Sequence, residues 1–406
     1  MNLLFRIKQS SRELLFFATA ALVLGVAFSI MDATFNNFLN DRFALSGFER
    51  SFLEFPRELP GFLVVFVSAA LWFLCSRRLG VVTMILSACG AALIGFVSSS
   101  YWVMVAWLFI YSLGQHLYMP IAATIGMELA REGQDGRRLG QLNAIRNFAT
   151  IIGSFFVFLG FKFFGFTFQH TFAISAILLV VAAALLFMMK PEPVVKKQSF
   201  LQLHKEYRLF YILGSISGAR RQIFLTFAPW VLVSVLGQST QIMATLYTIG
   251  GVIGILFQPF LGRAIDKFGE RTVLASEAVI LVFVCFGYGF AKFIFPADTA
   301  FLVVCACFLI DQMIFSVSMA RATYMKKIAL QPDHIQPALT AAVTIDHIFS
   351  ISAALLGGVI WNAFGFQYVF LLGAVIAVIN FFTALQVRLP KKPDSFVQNP
   401  GPSVPQ

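Results

Sequence analysis

Twelve apolar runs constrain the fold of this chain more than any other feature of its sequence. A helix that crosses a bilayer needs about 20 mostly apolar residues, because lipid offers no partner for backbone polar groups. Such helices, numbered one to twelve in chain order, are predicted at 14–39, 52–75, 80–98, 101–128, 138–164, 171–189, 207–236, 239–261, 271–293, 299–326, 337–364 and 367–388. Only 12% of the residues are charged, against about 25% in soluble domains. The sequence therefore predicts an all-α, multi-pass membrane protein.

Basic residues are concentrated in alternate connections between these runs. The even-numbered connections and both tails hold most of the 30 Lys and Arg residues, whereas the odd-numbered connections hold only Arg42, Arg50, Lys162 and Lys292. Cytoplasmic loops carry such an excess, so both termini are predicted to be cytoplasmic, in a bacterial inner membrane. The net charge of +11 does not indicate nucleic-acid binding, because no Lys/Arg-rich run with interleaved aromatic residues occurs.

The chain divides near its middle into two sets of six runs. The sequence predicts an N-terminal bundle over 1–189, a cytoplasmic linker over 190–206 and a C-terminal bundle over 207–389. The Pro-rich, polar tail at 390–406 is predicted to be disordered.

Two short matches suggest that the halves are repeats. Phe164-Gly165-Phe166 and Phe364-Gly365-Phe366 follow helices five and eleven at an offset of about 200 residues, and the same offset relates Arg146 to Asp346. Parallel half-repeats are an architecture of membrane transporters.

A loop motif between helices eight and nine adds a family resemblance. It reads Gly262-Arg263-Ala264-Ile265-Asp266-Lys267-Phe268-Gly269-Glu270-Arg271, and a degenerate copy, Arg77-Arg78-Leu79-Gly80, lies in the first half. The chain thus resembles the major facilitator superfamily. The resemblance implies two pseudo-symmetric six-helix bundles that alternate access to a central cavity, lined by helices one, two, four, five, seven, eight, ten and eleven. It also implies that Asp266 and Arg271 take part in a gate, and a monomer is expected.

Ionisable residues deep within apolar runs are the candidates for transport chemistry. A charge at the bilayer centre costs about 2.5–3.5 kcal/mol, so such residues usually serve a solute pathway. Arginine stays protonated and suits an anionic group, whereas Asp and His can titrate. The predicted substrate-binding residues are Arg146, Arg220, Arg221, Asn36, Asn37, Gln115, Gln312 and Tyr247. The predicted proton-coupling residues are Asp346, His347, Asp311 and His116. The alternative is that these charges form buried pairs that lock helices together, and that His116 is a hydrogen-bonded core residue.

A second polar cluster lies nearer the far end of helices one and two. Asp32, Glu54, Arg57 and Glu58 form it, and Glu54 and Glu58 share a helix face at i,i+4. The cluster is either a salt-bridged rim or a gate that changes partners during transport.

These observations together predict a secondary transporter that moves a small polar solute by alternating access and is coupled to protons; the direction of transport stays open. Three deep Arg residues against two Asp favour an organic anion. The alternatives are an exporter of amphipathic compounds or lipids, and a non-transporting membrane sensor or assembly factor. No enzyme motif occurs, none of the five cysteines forms a CxxC pair, and no cofactor or metal is predicted.

Overall fold

The structure is a computed structural model that describes residues 3–71, 73–130, 135–191, 204–331 and 334–388. For residues 3–11, 65, 68, 69, 135–137, 139, 335–337, 340 and 343 it describes the backbone only. The predicted tail at 390–406 and most of the predicted linker at 190–206 lie outside these residues.

The first half contains seven helices. They are α1 (Leu3–Phe43), α2 (Gly47–Phe52), α3 (Glu54–Ala70), α4 (Ser76–Val97), α5 (Tyr101–Glu128), α6 (Asp135–Phe163) and α7 (Phe168–Phe187). Helices α2 and α3 together form the second predicted crossing.

The second half contains six α-helices. They are α8 (Arg208–Trp230), α9 (Thr240–Ile294), α10 (Ala297–Ile314), α11 (Ser318–Ile328), α12 (Ile335–Phe364) and α13 (Phe366–Ala384). A π-helical turn, Val231–Val235, extends α8, and a 3-10 turn, Phe315–Val317, joins α10 to α11. Helix α9 is kinked at Gly269 and so contains the eighth and ninth crossings. The twelve predicted helices are confirmed, and no strand occurs in the part of the chain that the structure describes.

Eight of the described helical stretches are long and apolar enough to cross a membrane by themselves. Helix α5, which carries Gln115 and His116, and helix α8, which carries Arg220, Arg221 and Gln222, are not among them. Their lower hydropathy marks crossings whose polar side chains have to be satisfied inside the protein.

The start of the second crossing corrects one prediction. The helix begins at Gly47 rather than 52, because Ser46 and Glu49 form a capping box that starts it earlier. Arg50 is therefore a helical residue with 1% exposure, not part of a connecting loop. Its position four residues before Glu54 aligns the two side chains on one helix face.

Each half has its own apolar core. Phe17, Met84 and Phe172 belong to the core of the first half, and Phe227 and Phe370 belong to one core of the second half. Between the halves, α6 packs against α9, and α12 packs against α2 and α3. These two contacts join the fifth crossing to the eighth and the eleventh to the second, as a two-fold repeat requires.

The two repeated tripeptides occupy the same place in each half. Gly165 joins α6 to α7 with φ of 62°, and Gly365 joins α12 to α13 with φ of 107°. Glycine adopts these left-handed conformations without a steric penalty. The match at equivalent turns supports the repeat inferred from sequence.

The helices run alternately between two ends of the molecule. We call the end at which α1 begins and α3 ends the basic face, because the connections there hold most Lys and Arg residues. The end at which α1 terminates and α2 begins is called the opposite face.

Candidate functional site

Arg220 lies inside a network of buried charges within the second half. Its guanidinium is 3.2 Å from Glu277 on α9 and 3.5 Å from Asp311 on α10. Arg321 on α11 lies 3.8 Å from the other oxygen of Glu277. Arg220 is 3% exposed and Glu277 is 2% exposed. Arg220 and Asp311, predicted for solute binding and proton coupling, therefore hold three helices together in this conformation.

Arg221 is also neutralised by a neighbouring carboxylate. It donates a hydrogen bond to Asp346 on α12 and forms an ion pair with it. The helical rotation of about 100° per residue points Arg220 and Arg221 towards different partners. Two of the three deep arginines are thus engaged in pairs within the second half.

Arg146 differs from both of these arginines. It is exposed although it lies about 16 Å along α6, at about 1.5 Å per residue. Within the described side chains, no ion pair or hydrogen bond engages its guanidinium. Its charge acts on Asp32 of α1 and its Cα lies beside Gly25 of α1, so Arg146 is on a part of α6 that is close to α1.

Asp32 shares this environment. It is exposed about 16 Å before the end of α1, and Arg57 and Arg146 are the cations whose charges act on it. No hydrogen bond or ion pair holds its carboxylate among the residues that the structure describes. We call Asp32, Arg57 and Arg146 the Asp32 triad.

Two tyrosines border the Asp32 triad. Tyr111 on α5 is an electrostatic neighbour of Asp32 and Arg57, and its buried hydroxyl has no partner among the described groups. Tyr247 on α9, which was predicted as a site residue, has the same two neighbours and packs edge-on against Phe308, with 5.3 Å between ring centroids. Sequence reasoning missed Tyr111, since an aromatic residue in a membrane helix usually serves packing.

The predicted amide side chains take different positions. Asn36 accepts a hydrogen bond from Arg50 at 2.9 Å, and Asn37 donates one to the Gln238 carbonyl at 2.8 Å. Gln115 and Gln312 are half-buried, and Gln312 lies against Gly250 of α9.

Glu54 connects the two halves near the opposite face. It is 2.6 Å from Arg50 and 3.4 Å from Arg57. Its second oxygen accepts a 2.8 Å hydrogen bond from Gln222 on α8. Glu54 and Arg50 are both buried, so these charges are shielded from solvent where the halves meet.

Glu58 makes a second connection between the halves. Its carboxylate lies 2.8 Å from Nδ1 of His347 on α12 and 3.8 Å from Nε2 of His116 on α5. All three side chains are buried. The structure therefore unites a predicted gate residue with two residues that were predicted to couple protons.

The predicted gate residues of the loop motif lie elsewhere. Asp266 and Arg271 are exposed at the basic face, and neither forms an ion pair with another described residue. Their neighbour Glu270 is buried and pairs with Lys327 of α11 at 2.6 Å. The gating role of Asp266 and Arg271 stays a prediction.

This arrangement of polar groups is suited to moving a solute across a membrane. The two six-helix bundles carry exposed charges well inside their helices, while every ion pair between described residues except Glu58–His347 stays within one bundle. Two bundles that meet around such a polar interior define a membrane transporter.

Comparisons with known proteins assign the family. Residues 17–345 match the model of the Major Facilitator Superfamily. The chain therefore belongs to the Major Facilitator Superfamily, whose members are transporters rather than enzymes. No curated protein sequence matches the chain significantly.

Solved structures of this superfamily have the same fold. A mutant of the nucleoside transporter NupG aligns with a TM-score of 0.73 and 16% identity, over 91% of this chain and 98% of that one. A D-xylose-proton symporter aligns with a TM-score of 0.70 and 16% identity, over 94% and 98%. The inward-open xylose transporter XylE from E. coli aligns with a TM-score of 0.66 and 16% identity, over 93% and 96%. At these identities the likeness concerns the fold.

The Arg220 network predicts a contrast in stability between two arginines. Arg220→Gln leaves Glu277 and Asp311 without their shared cation, and breaking such buried pairs costs about 3–5 kcal/mol. Arg146→Gln removes an exposed charge that has no ion pair within the described structure, so its effect is expected to be small. The apparent melting temperature of each purified variant in detergent measures the contrast. Equal losses in both variants would contradict the assignment of Arg220 to a structural network.

Proposed function

We propose that the protein is a secondary transporter that moves a small polar solute with an anionic group by alternating access. The main observation in support is the exposed side chain of Arg146. Arg220 and Arg221 are engaged with carboxylates, which leaves Arg146 as the deep arginine available to a solute. A charge at this depth is costly and usually marks a solute pathway.

The charge around the cavity supports an anionic group on the solute. Arg50 and Glu54 compensate each other, while Arg57 and Arg146 face Asp32 as the nearby anion. Glu58 also acts on Arg57, so these charges sum to zero, and Arg146 is the cation that has no ion pair among the described side chains. A carboxylate or phosphate would offset that charge and accept hydrogen bonds from the guanidinium of Arg146.

Hydrogen-bonding groups beside the charges suit a polar solute. The Tyr111 hydroxyl and the Gln222 carbonyl oxygen are buried and have no partner among the described groups. A solute that carried hydroxyl or amide groups could satisfy them, and unsatisfied buried groups reject apolar compounds. The proposal therefore favours a small polar metabolite over an amphipathic or lipid substrate.

The contacts between the halves support an inward-facing conformation. Among residues with described side chains, the hydrogen bonds between the halves join Glu58 to His347 near mid-span and, towards the opposite face, Glu54 to Gln222, Asn37 to Gln238 and Phe161 to Gln241. The basic face, which the sequence predicts to be cytoplasmic, is then the side from which the cavity is reached.

Asp32 is the carboxylate that we propose for proton coupling. Asp311 and Asp346 are held in ion pairs with arginines, whereas Asp32 is exposed. Protonation of Asp32 would remove the anion that faces Arg57 and Arg146. Proton binding and solute binding would thereby act on the same two cations.

Solute uptake tests the role of Arg146. Purified protein in liposomes is offered radiolabelled carboxylates and phosphate esters, with D-xylose and uridine as neutral probes. Arg146→Gln is expected to lower the affinity for a transported anion about tenfold or more, because a charge-assisted hydrogen bond contributes about 1.5–3 kcal/mol. Arg263→Gln, an exposed substitution at the basic face, is the matched control. Uptake of neutral probes alone, or equal effects of both substitutions, would refute the anionic substrate.

A pH gradient tests the role of Asp32. Asp32→Asn is expected to abolish uptake driven by an imposed pH gradient but to keep solute exchange across the membrane, because exchange needs no net proton movement. Asp41→Asn, an exposed substitution near the opposite face, is expected to behave as wild type. A response of Asp32→Asn to the gradient equal to that of wild type would remove Asp32 from the coupling mechanism.

Cysteine labelling tests the orientation. In a background without the five native cysteines, Asp298→Cys reports on the opposite face and Asp266→Cys on the basic face; both positions are exposed. A membrane-impermeant maleimide is expected to label Asp298→Cys in intact spheroplasts, and Asp266→Cys only after permeabilisation. The reverse pattern would place the basic face outside the cell.

A further inference from the structure

Three buried side chains converge where the halves meet, and solute binding does not use them. Glu58 comes from α3, His116 from α5 and His347 from α12. One carboxylate oxygen of Glu58 lies 2.8 Å from His347 Nδ1 and 3.8 Å from His116 Nε2. One potential ligand atom from each residue lies within 4.8 Å of the other two, and all three side chains are less than one-tenth exposed.

The hydrogen bonds of His116 fix the direction of its lone pair. Its Nδ1 is 2.9 Å from the Ser112 carbonyl and 3.0 Å from the Ser112 hydroxyl. That hydroxyl donates its hydrogen to the Arg57 carbonyl, so both Ser112 oxygens act as acceptors towards His116. In neutral His116, Nδ1 therefore carries the hydrogen and the Nε2 lone pair faces Glu58.

Two electron pairs thus face each other across 3.8 Å between His116 and Glu58. A carboxylate and a neutral imidazole nitrogen are both acceptors, so a positive species between them is needed to make the contact favourable. A histidine that binds a metal through one ring nitrogen usually donates the N–H of its other ring nitrogen to a backbone carbonyl or carboxylate. That hydrogen bond orients the ring and raises the basicity of the ligating nitrogen.

We infer that Glu58, His116 and His347 form a binding site for a divalent transition-metal cation, of which Zn²⁺ is the best match. Zinc takes nitrogen and carboxylate ligands at about 2.0–2.2 Å in a tetrahedron, which sets its ligand atoms about 3.3 Å apart. The separations of 2.8 and 3.8 Å bracket that value. Imidazole ligands favour zinc over magnesium or calcium. Three protein ligands leave a fourth position open for water.

The backbone of α3 leaves room for both imidazoles. Gly61 lies one turn after Glu58, and a Cβ at that position would come within 2.9 Å of atoms in both His116 and His347. The absence of a side chain therefore lets the two rings approach Glu58 together, with 5.3 Å between their centroids.

Bound metal would join the halves through their helices. Glu58 and His116 belong to the first half, whereas His347 belongs to the second. Because the ion would bind only where all three ligands meet, it would stabilise the conformation in which the opposite face is closed. This inference does not depend on which solute is carried.

Metal binding by the purified, chelator-treated protein tests the site. Wild type is expected to bind one Zn²⁺ in calorimetry, and Co²⁺ in its place is expected to give the visible absorption of a tetrahedral complex. Glu58→Gln, His116→Asn and His347→Asn are each expected to weaken binding at least tenfold. His170→Asn and His204→Asn, which alter histidines elsewhere in the protein, are expected to leave it unchanged.

Melting temperatures with and without Zn²⁺ distinguish a loss of metal binding from a folding defect. Zn²⁺ is expected to raise the apparent melting temperature of wild type and of the two control variants, since a ligand that binds the folded state stabilises it. Glu58→Asp, which keeps a carboxylate, is expected to bind Zn²⁺ more tightly than Glu58→Gln. Absence of Zn²⁺ and Co²⁺ binding by wild type would overturn the inference and leave a proton-bridged cluster. Binding that is lost in His204→Asn but kept in Glu58→Gln would overturn it as well.

Discussion

The ion pairs around Arg220 determine which charged side chains inside the protein remain available to bind a solute. Lipid offers no partner for a charge, so each ionised side chain inside the bundle needs either a protein counter-ion or access to water. Arg220 and Arg221 are engaged with Glu277, Asp311 and Asp346 in the second half. Arg146 lacks such a partner among the described side chains and is exposed. Because Arg220 and Arg221 are paired and Arg146 is not, Arg146 is the one of these three arginines that a solute could contact.

The two halves use their equivalent positions differently. Arg146 and Asp346 correspond by the repeat, yet Arg146 lies near Asp32 without an ion pair among the described side chains, whereas Asp346 is paired with Arg221. The fold thus keeps its pseudo-symmetry in the helices and turns, while the polar side chains break it. An asymmetric solute can then contact different polar side chains in each half.

Sequence patterns predicted the helices well, because hydropathy reports directly on contact with lipid. The same patterns placed the start of the second crossing too late in the chain. The capping box formed by Ser46 and Glu49 starts the helix earlier and includes Arg50 in it. That box is visible in the sequence as a Ser followed three residues later by a Glu. The earlier helix start could therefore have been predicted.

Partners across the bundle were harder to predict. Glu277 was not among the predicted site residues, yet it pairs with Arg220, which is 57 residues away in the chain. Tyr111 was not expected at the site at all. Both positions depend on the rotation and tilt of neighbouring helices. The spacing of residues along one helix gives no information about these angles. The sequence thus indicated which helices carry polar groups but not which groups meet.

The location of the ion pairs bears on how easily the opposite face can open. Apart from Glu58–His347, every ion pair between described residues joins two members of the same half. Separating the halves would therefore break a few hydrogen bonds, each worth about 1 kcal/mol, together with the Glu58–His347 pair, and would leave the other ion pairs intact. That is within the free energy available from binding one small solute. Most of the charges that the membrane makes costly therefore stay paired within their own half when the halves move, which lowers the barrier to reorientation.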